Sequence, residues 1–171
     1  LENVREIIHD VPALFSSLKR TKEIFVGELN VGTVAGKLAE CERVLCIVNT
    51  RRQALEVFRA MSASEGAFHL SALMYPTHRT RLFREIRSRL KQNLPCRVVS
   101  TQLIEAGVDV DFPVVYRAAA GIDSIAQAAG RCNRNGGHPQ PQKVYVFRFP
   151  GSEESAFFRQ TAQSASKLFD R

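Results

Sequence analysis

The chain has 171 residues, 44% of them hydrophobic, with 24 Lys and Arg against 17 Asp and Glu for a formal charge of +7. That length supports one substantial core and argues against two, and the cationic balance favours polyanionic partners over basic ones. Cys41, Cys46, Cys96 and Cys132 form no C-x-x-C pair, which points away from a redox motif and toward a reducing, cytoplasmic setting.

The chain opens at Leu1 with no signal peptide and no apolar run of about 18 residues. It reads as an excised piece of a protein that is neither secreted nor membrane-spanning. His138 follows Cys132 closely, but further ligands at metal-binding spacing are missing, so no metal site is expected.

In chain order, residues 1–20 give no assignment, EIFVG (23–27) predicts a strand, and VGTVAGKLAECE (31–42) predicts a helix. VLCIVN (44–49) is a continuous apolar and β-branched run, suited to a strand buried on both faces of a parallel sheet. A helix over 51–64 and a strand over AFHLSALM (67–74) follow.

The segment 78–92 predicts an amphipathic helix with Leu82, Phe83, Ile86 and Leu90 on its core face and Arg79, Arg81, Arg84, Arg87 and Arg89 on the others. Next come a strand at RVVST, the loop QLIEAGVDVDF, a strand at VVYRA, a helix from Asp123 to about Asn133, the breaker-rich loop GGHPQPQ, and the strand KVYVFRF. The tail, 153–169, reads as a helix that packs on the sheet or on a neighbouring domain. Strands alternating with helices argue for βαβ units around a mostly parallel sheet.

The segment GTVAGKL (32–38) imitates a phosphate loop, but its glycines stand too close together and Leu38 replaces the magnesium-binding hydroxyl. Gly32, Gly36 and Lys37 therefore belong to an ordinary helix. No Asp-Glu-x-His or Asp-Glu-x-Asp box is present, and the His9-Asp10 doublet lacks the companions of a nuclease centre.

Chemistry concentrates in QAAGRCNRNG (127–136). Helical spacing there predicts that Gln127, Arg131 and Arg134 share one face, where forked guanidiniums and an amide can clamp the charge of a transferring phosphoryl group. Ser100, Thr101 and Gln102 end a predicted buried strand, at the carboxyl edge where open parallel sheets bind ligands. Gly107 permits a tight turn, and Asp109 can accept a hydrogen bond from a ribose hydroxyl.

NTRRQA, STQLIEAGVDVDF and QAAGRCNRNG, in this order, resemble motifs four, five and six of superfamily-two helicases. The wording of the last two is similar to the CRISPR-associated helicase-nuclease of type I systems, over residues 40–150, and less like RNA helicases. The resemblance implies a RecA-like three-layer α/β sandwich with helices on both faces, 1–171 forming a single second motor domain.

By the same resemblance, Gln127, Arg131 and Arg134 reach ATP phosphates, Arg134 being the arginine finger, while Gly107 and Asp109 line the nucleotide cleft. Asn49, Thr50, Arg51, Ser100 and Thr101 lie near a single-strand backbone, whose contacts are mainly to phosphates. His78 and Arg79 join them, although Tyr75-Pro76-Thr77-His78-Arg79 departs from the family's His-Ser-Arg-Phe.

ATP and Mg are implied to be held mainly by an absent first motor domain, so the isolated domain is expected to be inactive as an ATPase. The implied partners are single-stranded DNA, the first RecA-like domain and the nuclease domain of the same protein, and an RNA-guided surveillance complex, with no membrane and a monomeric state. The competing readings are another superfamily-two motor, such as an RNA helicase, and a catalytically silent RecA-like module that binds nucleic acid or protein through its basic surface.

Overall fold

The computed structural model describes residues 10, 11, 14, 18–61, 63–105 and 108–152. The tail helix expected over 153–169, His9 and Gly107 lie outside the described residues. The elements run β1 (Thr21–Glu28), α1 (Val31–Ala39), β2 (Arg43–Ile47), α2 (Arg51–Met61), β3 (Ala67–Leu70), α3 (Pro76–Lys91), β4 (Cys96–Ser100), a 3-10 turn (Gln102–Ile104), β5 (Val114–Ala118), α4 (Ile122–Ala129) and β6 (Gln142–Arg148).

The strands form one six-stranded sheet in the order β1-β6-β5-β2-β4-β3, and every pairing is parallel. Val44, Cys46 and Val48 face one cluster of buried side chains, which α1 joins through Val34 and Leu38 and α2 through Ala54 and Val57. Leu45 and Ile47 face a second cluster, with Ile86 of α3 and Ala128 of α4. A sheet apolar on both faces between two helical layers is the three-layer α/β arrangement that the patterning predicts. No helix among the described residues is long and apolar enough to cross a membrane.

Several boundaries differ from expectation for local reasons. Strand β3 stops at Leu70 because Ser71–Met74 close a turn, Met74 N–H donating to Ser71 at 3.2 Å. Helix α3 starts earlier than expected, at Pro76, whose fixed φ and missing N–H suit the first helical position. The largest difference is α4, which ends at Ala129 instead of continuing to Asn133.

Beyond Ala129, the backbone of Arg131–Asn133 is taken by the segment before β5. Phe112 N–H donates to Arg131 O at 2.9 Å, and Asn133 N–H donates to Phe112 O at 3.2 Å. Asn133 is buried with φ +48°, a left-handed conformation that Asn tolerates better than most residues. Its carboxamide oxygen accepts from His138 N–H at 3.0 Å, which fixes the start of the loop leading to β6.

Because all strands are parallel, their carboxyl ends lie on one edge of the sheet. The order runs outward from β2 to β4 and β3 on one side and to β5, β6 and β1 on the other. Crevices at the carboxyl edge beside such a reversal are where open α/β sheets hold ligands.

Candidate functional site

The segment NTRRQA follows β2 and runs into the start of α2. Thr50 and Gln53 build a reciprocal cap: Gln53 N–H donates to Thr50 Oγ1 and Thr50 N–H to Gln53 Oε1, both at 3.1 Å. Thr50 and Arg51 are exposed. Asn49 is also exposed, yet both ends of its carboxamide are held: Nδ2 donates to Ala119 O and Oδ1 accepts from Arg117 Nη1, each at 2.7 Å.

Arg117 lies in the middle of the sheet, paired with Ile47, and is fully buried. Its Nε stands 2.9 Å from Glu105 Oε1, itself buried, and its Nη1 also donates to Ala118 O at 2.8 Å. The approach to Glu105 is off the hydrogen-bond axis and Nη2 has no hydrogen-bond partner, so this contact is a charge pairing above all. Burial lowers the Arg117 pKa against the opposing pull of Glu105. Burial likewise raises the Glu105 carboxyl, with Arg117 and then Arg131 resisting.

Glu105 caps the 3-10 turn that follows β4. Its carbonyl accepts from Arg131 Nη2 at 2.5 Å, while Arg131 Nε donates to Ile104 O at 3.1 Å and Nη1 to Gly130 O at 3.3 Å. Arg131 is 8% exposed. The expected shared face of Gln127, Arg131 and Arg134 is thus corrected: α4 ends before Arg131, whose guanidinium turns inward and holds the loop after β4.

Gln127 and Arg134 remain exposed. Arg134 Nε stands 3.1 Å from Asp109 Oδ1, and its backbone is fixed by Asp111, which accepts from Arg134 N–H at 2.8 Å and Asn135 N–H at 3.0 Å. Arg20 donates to Arg134 O from the chain entering β1. The exposed Arg134 guanidinium offers donors suited to a polyphosphate, and the Asp109 carboxylate beside it an acceptor suited to a ribose hydroxyl.

The strand-side candidates divide by burial. Ser100 is fully buried and its hydroxyl donates to Thr101 O at 2.8 Å. Thr101 is 9% exposed, its N–H donating to Leu70 O. His78 is exposed on the first turns of α3, near Tyr75, Arg81 and Arg84, and Arg79 is half-buried. Among the described residues no group of three or more His, Cys, Asp and Glu side chains gathers as a metal site. Burial pushes the thiols of Cys46, Cys96 and Cys132 up to about 12.

Sequence reasoning passed over Arg117 and Glu105. The signal was present: an arginine inside VVYRA, a strand expected to be buried, requires a buried counter-charge, and the preceding loop offers Glu105.

The six-stranded parallel sheet between two helical layers defines a RecA-like α/β domain. Its backbone is similar to the crystal structure of T. fusca Cas3-AMPPNP, at a TM-score of 0.72 and 19% identity over 90% of this chain and 22% of that one. It is also similar to a chain of a CRISPR RNA-guided surveillance complex in a pre-nicking state, at a TM-score of 0.69 and 18% identity over 88% of this chain and 23% of that one.

The chain belongs to the family described as CRISPR-associated nuclease/helicase Cas3, C-terminal, whose model matches residues 40–137. A CRISPR-associated nuclease/helicase Cas3 of Methanothermobacter thermautotrophicus is 30% identical over 136 residues, 74% of this chain. The match spans only 16% of that relative's length.

Proposed function

We propose that this chain is the second motor domain of an ATP-dependent single-stranded-DNA translocase coupled to a nuclease in CRISPR antiviral defence. The carrying observation is that Arg134 presents an exposed guanidinium beside Asp109, on the segments that lead into β6 and β5, in a chain of the Cas3 family. Gln127 and Arg134 would meet the phosphates and Asp109 the ribose. ATP, when bound between two motor domains, supplies the phosphoryl bond whose cleavage drives motion. Arg134 neutralises charge developing on the transferring group, while Arg131 keeps the loop bearing Asp109 in place from behind.

The phosphate loop, the carboxylates for Mg and the nuclease centre are assigned to other domains of the same protein, with residues 1–171 as one motor unit that is inactive alone. Asn49, Thr50, Arg51, His78, Arg79 and the loop after Ser100 and Thr101 form the strand-facing side. Ser100 acts there through its backbone and its bond to Thr101, since its own side chain is covered. The relatives support this reading: a nuclease/helicase, an AMPPNP-containing structure and an RNA-guided surveillance complex.

The test is single-stranded-DNA-stimulated ATP hydrolysis by this chain, by its mixture with a phosphate-loop-bearing first domain, and by that mixture carrying Arg134→Ala. Turnover only in the wild-type mixture supports the split site. Turnover by the chain alone, or an unimpaired Arg134→Ala mixture, refutes it.

A further inference from the structure

We infer that Arg117, braced by Glu105, is a positioning residue that holds the Asn49 carboxamide at the strand-facing edge and ties it to the loop bearing Asp109. This rests on the proposed motor reading, and specifically on Asn49 as a strand contact. Arginine has donors only, so its Nη1 at 2.7 Å fixes the oxygen end of Asn49 toward the protein. The nitrogen end then donates to Ala119 O at 2.7 Å, leaving a second amide N–H for a phosphate oxygen.

An exposed asparagine with both ends fixed has surrendered its rotamer freedom before any strand arrives, which lowers the ordering cost of binding. The same guanidinium reaches back to Glu105, whose carbonyl is held by Arg131. Residues of motifs four, five and six therefore meet around one buried acid.

A purely structural role predicts something different. Replacing a buried ion pair by apolar side chains of similar volume is often neutral or stabilising, so sheet stability alone gives no reason to keep these charges. Arg117 reaches Asn49 and Ala118 through Nη1 and Glu105 through Nε, and lysine, a point charge without that fork, cannot hold both sides together.

The experiment uses the full-length protein that carries this domain and a fluorescein-labelled single-stranded oligothymidylate, with affinity read by anisotropy without nucleotide. Arg117→Met/Glu105→Leu should keep its melting temperature and its ATP turnover without DNA, while DNA affinity falls about tenfold, the value of a lost charge-assisted hydrogen bond. Asn49→Ala should cost the same tenfold in wild type and little more in the double variant, because the two act through one contact.

Wild-type affinity in the double variant, or an equal loss from Asn49→Ala in both backgrounds, overturns the inference. If the double variant does not fold, Arg117→Lys takes its place, with the same affinity loss expected and an unchanged affinity overturning it. Anisotropy requires no ATP turnover, so a failure of the motor reading at Arg134→Ala leaves this result legible. An absence of strand binding by the wild type refutes both.

Discussion

Arg134 Nε lies 3.1 Å from Asp109 Oδ1 in an ion pair open to solvent on both sides, the two side chains being 42% and 76% exposed. A pair this exposed contributes about 0–1 kcal/mol to the fold. Arg134→Ala should therefore leave the melting temperature nearly unchanged while lowering ATP turnover of the assembled motor by about 10³–10⁵. Turnover within about tenfold of wild type would show that Arg134 is not the finger.

Arg131 should behave in the opposite way. Its guanidinium serves the carbonyls of Ile104, Glu105 and Gly130, and a buried acceptor left unpaired costs about 1–3 kcal/mol. Arg131→Ala should lower the melting temperature by several degrees, at roughly 2–4 °C per kcal/mol for a chain of this size. Turnover would be lost as a consequence of loop disorder, and thermal melts of the two alanine variants side by side separate the roles.

His69 gives the fold a pH dependence. Its ring lies tilted against Phe58 at 5.6 Å between centroids, and its Nε2 is buried without a hydrogen-bond partner. Burial lowers its pKa from the ordinary 6.5. Below 6.5 the unfolded chain binds the proton more readily than the native one, so the contribution of His69 is fully present above that value and is lost as the pH falls below it. His69→Phe should flatten the decline in melting temperature between about pH 7.5 and pH 5.5; an identical decline would place the acid sensitivity elsewhere.

Two glycines should respond to alanine with opposite signs. Gly66 has φ +66°, and a Cβ there would lie 2.0 Å from Pro95 O, so Gly66→Ala should destabilise by at least about 1–3 kcal/mol. Gly36 sits in α1 with nothing within 4 Å of its Cβ direction. Gly36→Ala should stabilise by about 0.5–1 kcal/mol, measured by denaturant midpoint.

The layers of the fold were legible because burial on both faces leaves a plain mark: VLCIVN and VVYRA are apolar without alternation, and Leu82, Phe83, Ile86 and Leu90 repeat at helical spacing. The direction of Arg131 was not legible. Its helix is cut short by a backbone bridge from Phe112 to Cys132, a contact between segments distant in sequence, and helical spacing carries no information about such a competitor. Ser100 was placed at the right edge, but whether its hydroxyl faces out depends on sheet parity next to Leu70 and Ile47. Arg117 was legible in principle, since a charge inside a buried strand demands an explanation.

The sheet order also dictates a timetable. Strand β1 is made before the other strands of this sheet, yet among the described residues its only strand partner is β6, with Thr21 opposite Gln142. Until β6 is made, β1 has no ladder to join, and its Phe25 and Val26 can pair with another nascent chain. Closing so distant a parallel pair is slow. The edge strand is thus the point at which synthesis of this domain is most exposed to aggregation, and the last part of it to become native.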